Sequence, residues 1–482
     1  MGRLLFAAVF STLVTGAAFA ADMPLKARPV EPVMSWTGFY INGGLGYGMW
    51  TADTTTVDPT TGACVLCVTQ TQGGRGWFGT VGAGYDYQLT GSIVAGVFAD
   101  VDLGEIKGTI QDQGPFFAGR IKENWAWAAG TRVGLLMNPE TLTYLNGGYT
   151  QAHFGSAAMV HTTTDKLTDF STPSFDKGGW FLGSGIETTF SPFGRGWFWR
   201  TEYRYSYFGS KLLPDRSPSG GVDNSITFKP LVQSVRTELV YKFNGGASAP
   251  GSANWVSAMA SAGSVRWTGF YLNGGLGYGM WHADTTTVNP TTGTCVLCTN
   301  QTQGGRGWFG TVGAGYDTQL ASRLVGGVFA DVDLSSIKGT IQDAGPFFAG
   351  EIKETWSWAA GPRLGWLMTP DTLTYVNGGY TKTHFDGASM VNTHVGASTP
   401  FVTSDFDKSG WFVGGGVERS LAMFGLGGPG WFWRSEYRYA SYGQRTLTDT
   451  VPSTGATMNS ITFKPAVQTV RSEIVYKFNW PG

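Results

Sequence analysis

Charge is scarce in this sequence. Asp, Glu, Lys and Arg make up 14% of its 482 residues, where a soluble domain carries roughly 25%. Long apolar runs are missing too: past the N-terminus no segment approaches the roughly 18 consecutive apolar residues of a helical membrane span, which excludes a polytopic helical protein. Net charge is −1 and basic residues form no block, so nucleic-acid binding has no electrostatic footprint. There are only four cysteines, too few for a disulfide scaffold of this length. Glycine and aromatics are plentiful, with 72 Gly, 19 Trp and 14% aromatic residues overall. A mean hydropathy of −0.07 fits a soluble chain, and equally a chain that hides an apolar face in strict alternation.

The N-terminus reads as a targeting segment. Arg3 supplies a basic start, Leu4 to Val14 is apolar but short, and Ala18-Phe19-Ala20 precedes Ala21. This is the pattern of a signal peptide over 1–20, not of a membrane anchor. A Pro-bearing polar arm over 21–35 follows.

The chain then repeats itself. Trp36 to Trp50 recurs as Trp267 to Trp281 with one change, Ile41 to Leu272. The offset of 231 residues (267 minus 36) also relates Cys64 to Cys295, Trp125 to Trp356 and Trp180 to Trp411. It grows slightly after an insertion near Gly427. So long a period makes each copy a whole domain: residues 36–244 and 267–482. The Gly-, Ala- and Ser-rich stretch 245–266 reads as a linker.

Each copy holds about eight runs of period-two alternation, the strand signal. In the first run Phe39, Ile41, Leu45 and Tyr47 share one face and Tyr40, Asn42, Gly44 and Gly46 the other. Short turns at Thr90-Gly91, Asn138 to Glu140 and Pro192 to Gly196 alternate with polar connections of roughly twenty residues, and strand lengths near ten suit a tilted bilayer span. The expected fold is all-β: a transmembrane antiparallel up-and-down β-barrel in two tandem eight-stranded copies. The alternative is one sixteen-stranded barrel, against which the long linker speaks, since closing that barrel calls for a short turn there.

The face opposite the apolar one carries charges of both signs. In the first copy these are Asp86, Asp100, Asp102, Glu187, Glu202 and Glu238 against Arg132, Arg200, Arg204, Arg236 and Lys242. The second copy repeats them as Asp317, Asp331, Asp333, Glu418, Glu436 and Glu473 against Arg363, Arg434, Arg438, Arg471 and Lys477. Charges inside a narrow barrel must pair or be solvated. Near balance, with Phe98, Phe181 and Phe198 also pointing inward, argues for a plugged interior rather than a selectivity filter, which usually shows one sign in excess. About eight strands leave room for little more than side chains.

These residues carry a resemblance. Trp36-Thr37-Gly38-Phe39-Tyr40, Gly179 to Glu187, Arg200-Thr201-Glu202-Tyr203-Arg204-Tyr205 and Val240-Tyr241-Lys242-Phe243, with their second-copy counterparts, resemble the small Gram-negative outer-membrane β-barrel family of outer-membrane immunogenic and opacity-type proteins, often described as porin-like. The resemblance implies a monomeric eight-stranded barrel with surface loops, a role in envelope integrity and surface contact, and no enzyme activity. Such chains usually end on an aromatic residue. Here Asn479 to Gly482 follow Phe478, with Trp480 in the outward register, and two copies in one chain are unusual.

Other motifs must be weighed against plainer roles. Cys64-Val65-Leu66-Cys67 and Cys295-Val296-Leu297-Cys298 could together form a four-cysteine zinc site. In an oxidising compartment two intra-loop disulfides are the favoured reading. His153 and His384 near the outer strand ends suggest a lipid hydrolase only if a serine accompanies each. Ser156 follows His153, but the second copy has Gly387 there. Gly73-Gly74-Arg75-Gly76 is expected to be a flexible start to the second strand, since no helix follows it. Arg419, outward where the first copy has Thr188, is expected to snorkel at the periplasmic end. The expected function is a structural and surface-interaction barrel of the outer membrane, the alternative a porin for small solutes. Its partners would be outer-membrane lipid, lipopolysaccharide and an extracellular or host surface ligand, with no cofactor.

Overall fold

A computed structural model describes residues 35–112, 117–243, 265–343, 348–421 and 430–478. The signal peptide, most of the N-terminal arm and of the linker, and Trp480 lie outside these residues.

In the first copy the strands are β1 (Gly38–Val57), β2 (Cys64–Gln88), β3 (Ile93–Gln111), β4 (Phe117–Asn138), β5 (Thr141–Phe154), β6 (Ala157–His161), β7 (Lys166–Thr172), β8 (Phe175–Thr189), β9 (Trp197–Phe208), β10 (Lys211–Arg216) and β11 (Val222–Lys242). All neighbours are antiparallel. The sequence β1-β2-β3-β4-β5-β8-β9-β11 closes on itself, because β1 pairs both with β2 (Tyr40 opposite Gly84) and with β11 (Tyr40 opposite Lys242). Short β6, β7 and β10 extend the outer rim.

The second copy repeats this with β12 (Gly269–Val288), β13 (Cys295–Gln319), β14 (Leu324–Gln342), β15 (Phe348–Thr369), β16 (Thr372–Asp386), β17 (Ser389–Asn392), β18 (Ser398–Val402), β19 (Phe406–Ser420), β20 (Trp431–Tyr442), β21 (Arg445–Thr450) and β22 (Thr457–Lys477). Here β12 closes on β13 and β22. The two barrels are separate and eight-stranded, which removes the sixteen-stranded alternative. A single rung, Gln72 opposite Gln303, links their sheets.

Alternation decides orientation as the sequence implied. Along β1, Phe39 and Ile41 are 66% and 50% exposed while Tyr40 between them is 1% exposed. Inner-face glycines leave room for aromatic side chains: a Cβ at Gly46 would collide with the Phe78 ring.

Strand length departs from expectation. Main strands run from 12 to 25 residues, well beyond the ten or so needed to cross a bilayer. The excess lies on the long-connection side, so most of each expected loop is continued sheet. β1 and β2, for example, are separated only by residues 58–63. The polar threonines and glutamines there satisfy their backbones by pairing on into the solvent.

Each lumen is packed in layers. Toward the short turns, Trp36, Leu142, Phe198 and Val240 form an apolar floor in the first barrel. Toward the long connections, Trp50, Ile110, Phe154 and Phe228 form an apolar cap. The ionised side chains lie between.

Candidate functional site: the barrel interiors and the seam between them

The expected interior charges converge. Arg132 Nε donates to Asp86 at 2.8 Å and its Nη1 to Glu187 at 2.9 Å. Arg200 bridges Glu187 at 2.8 Å and Glu238 at 3.2 Å. Arg204 reaches Asp100 at 2.7 Å and Glu202 at 2.8 Å. Arg236 reaches Asp102 at 2.7 Å, and Lys242 reaches Asp86 at 2.5 Å. Arg132 also sits over the Tyr40 ring at 4.7 Å.

The second barrel has the same set. Arg363 takes Asp317 and Glu418, Arg434 takes Glu418 and Glu473, Arg438 takes Asp331 and Glu436, and Arg471 takes Asp333. Lys477 holds Asp317 at 2.5 Å. Apart from Asp102, whose side chain is 17% exposed, these groups are almost wholly removed from solvent. Such a network holds only while each charge keeps its partner, because an orphaned buried charge costs several kcal/mol. Two voids within the first lumen measure about 30 and 10 Å³, room for a few waters at most.

The seam between the barrels is not legible in the sequence. Its contacts occur in pairs with the copies exchanged. Arg75 meets Asp284 at 2.6 Å, and Arg306 meets Asp53. The Thr71 N–H donates to Thr340 Oγ1 at 2.7 Å, and the Thr302 N–H to Thr109 Oγ1 at 2.8 Å. Lower down, Tyr47 packs edge-on against Tyr439, and Tyr205 against Tyr278.

This corrects the expectation for the Gly-Gly-Arg-Gly motif. It lies well inside β2, not at a flexible start, and it serves the seam. A Cβ on Gly73 would stand 2.9 Å from the Gln303 carbonyl oxygen, and one on Gly304 the same distance from that of Gln72. The outward register that marks a lipid-facing residue also marks a residue facing another barrel, so no sequence signal separates the two.

At the outer rim, Cys64 is bridged to Cys67 and Cys295 to Cys298. All four sulfurs are committed within their own copies, so the four-cysteine zinc site does not form. Among the described residues no other His, Cys, Asp and Glu grouping could hold a metal ion. Each bridged hairpin clasps the opposite barrel: the Cys67 N–H donates to the Thr393 carbonyl at 2.8 Å, and the Cys298 N–H to that of Thr162 at 2.6 Å.

His153 stacks on Trp125 at 5.3 Å and bonds Asp176 at 2.6 Å; His384 stacks on Trp356 and bonds Asp407 at 2.7 Å. Ser156, the candidate hydrolase serine, is exposed. Arg419 is also corrected. It is 3% exposed and lines a cavity shared with the first barrel, so it does not snorkel into water.

At the rim of each barrel two carboxylates are drawn together. Burial, and the neighbouring Asp112, push the Asp215 carboxyl up to about 8. In the second copy, burial and Asp343 push Asp449 to about 8.

Comparison with known proteins agrees with this architecture. Residues 6–243 and 252–464 match the family model for the outer membrane protein beta-barrel domain. A 31 kDa outer-membrane immunogenic protein of Brucella melitensis is 32% identical over 176 residues, 36% of this chain and 67% of the relative. A 25 kDa outer-membrane immunogenic protein of Brucella abortus is 28% identical over 232 residues, 47% of this chain and 91% of the relative. Among solved structures, Neisserial surface protein A aligns at 12% identity with a TM-score of 0.24, covering 44% of this chain and 98% of that one. A Pseudomonas aeruginosa FadL homologue aligns at 8% identity with a TM-score of 0.27, covering 92% of this chain and 91% of that one.

Proposed function

Since the chain belongs to the outer membrane protein β-barrel family, twice along its length, we propose that it is a structural and surface-presenting barrel pair with closed interiors. Its place is the Gram-negative outer membrane. The matched relatives carry outer-membrane immunogenic names, not enzyme names.

The observation that carries the reading is the filled lumen. An apolar floor, a paired ionic layer and an apolar cap lie in series. A solute would have to break the ionic layer to pass, exposing charges whose mutual neutralisation keeps them tolerable in low dielectric. Water-filled passage instead calls for a wider barrel.

In this role the barrels stiffen the envelope, and the sheet extensions carry the outer rim clear of the lipid. That rim is the surface offered to lipopolysaccharide and to an extracellular or host ligand.

Planar-bilayer recording on the purified full chain tests this. The expected result is an electrically quiet bilayer. Stable, ohmic steps of large conductance would replace the reading with a passive channel for small solutes.

A further inference from the structure

We infer that the cleft between the two barrels is a binding site for a phospholipid of the periplasmic leaflet, with its acyl chain between the barrels and its phosphate on Arg419.

The barrels do not meet along their whole height. Above the cleft the tyrosine pairs Tyr47–Tyr439 and Tyr205–Tyr278 touch. Below it, Asn138 Nδ2 donates to the Met368 carbonyl at 3.0 Å. Between these contacts lies a cavity of about 450 Å³ lined by outward-facing residues of both barrels, among them Leu135, Ile186, Tyr203, Val417 and Trp433. That volume is in the range of sites that hold small organic molecules.

The cavity opens sideways to the bilayer, since Val133 and Leu145 on its wall are 57% and 66% exposed. An apolar space of this size gives water few hydrogen-bond partners, and left void it would forfeit dispersion contacts along its lining. Hydrocarbon is the solvent at its mouth.

Charge sets the headgroup. Arg419 is the penultimate residue of β19, at the short-turn end, which is periplasmic in an outer-membrane barrel. It lines the cavity and has the Asp371 carboxylate for a neighbour. A guanidinium is a planar fork of five donors that matches phosphate geometry. The seam is otherwise closely two-fold; apart from Thr51 against His282 nearer the outer rim, its departures include Arg419 for Thr188 and Trp366 for Leu135 at the level of the cleft. The site is therefore expected once per chain, on the side where Leu135 leaves space. Arg419 lies at the wrong end for lipopolysaccharide, which occupies the opposite leaflet.

Native mass spectrometry of the delipidated full chain, titrated with phosphatidylglycerol in detergent, tests this. Wild type should retain one molecule at saturation. Arg419→Thr should weaken retention about fivefold, the scale of one basic side chain on an anionic lipid surface. Ser435→Phe, which fills the cavity and leaves Arg419 in place, should abolish it. Unchanged heat-modified gel mobility would confirm that both variants fold.

No saturable adduct in wild type, or wild-type retention by Ser435→Phe, would overturn the site. Undiminished retention by Arg419→Thr would overturn the phosphate contact. Preference for lipopolysaccharide over phosphatidylglycerol would move the ligand to the other leaflet and overturn the proposal. A conducting barrel would leave this test standing, because the cleft lies outside both lumens.

Discussion

In one barrel Arg132 grips Asp86 and Glu187; in the other Arg363 grips Asp317 and Glu418 through the same nitrogens. The distances from Nε are 2.8 Å in both, and from Nη1 2.9 Å in both. The outer faces of the same strands have drifted: Thr51 against His282, Leu135 against Trp366, Thr188 against Arg419. Thr51 accepts a bond from Arg306 at 3.1 Å, whereas His282 is buried at the seam. A change inside a lumen orphans a charge in low dielectric, while a change outside trades one contact with lipid or the other barrel for another. The difference between copies thus maps where substitution is tolerated.

The first way to break this comparison is at the lumen. Arg132→Ala and Arg363→Ala should each cost about 3–5 kcal/mol, since each leaves buried carboxylates short of their cation. Urea unfolding of the full chain in detergent micelles should show equal losses, each confined to its own barrel. Unequal losses would mean the two interiors are not energetic equivalents.

A smaller effect is expected at the seam. Gly73→Leu or Gly304→Leu should strain the approach of the two β-sheets by roughly 1–3 kcal/mol. Spin labels on opposite barrels should report a wider separation, with each barrel's own unfolding unchanged. An unaltered distance would show that the close backbone approach does not hold the barrels together.

The smallest is at the rim. The Asp215 carboxyl, raised to about 8, keeps its proton in the folded rim after the unfolded chain has lost it. The folded state therefore binds more protons, and its stability falls as pH rises from about 4 to 8. Asp215→Asn should flatten that slope, and Asp449→Asn should do the same in the second barrel. Melting curves across pH 5–9 read it. The first copy has a further acid beside this pair, Asp223, where the second has Met458. Asp223→Met should lower the pH at which the first barrel's slope levels off, since that acid helps to raise the Asp215 carboxyl.

What can be read from sequence follows from parity. Period two separates Tyr40 from Ile41, and the same alternation by itself sorts Arg200, Glu202 and Arg204 into the lumen. The cysteine pairs are local and equally legible. Parity cannot say what an outward residue meets, so it leaves Arg75, Gly73 and Arg419 at a turn or a membrane interface when they belong to the seam. Strand ends are misplaced for a related reason. Beyond the bilayer the outward residues turn polar, as at Asp53 and Thr55, and sheet then looks like loop.

The reciprocal contacts of the seam have a consequence for the history of the chain. A contact set that survives exchange of its two members is isologous, the kind a homodimer makes about a two-fold axis. A chain with one copy would carry on one face both Arg75 and Asp53, both Thr71 and Thr109, and could pair with itself. Joining two copies turns that encounter into an intramolecular one at high effective concentration, so the pairing no longer depends on every contact being kept. Positions such as 188 and 419 therefore need not match, and one of them can carry a charge that a symmetric pair would have to accept twice.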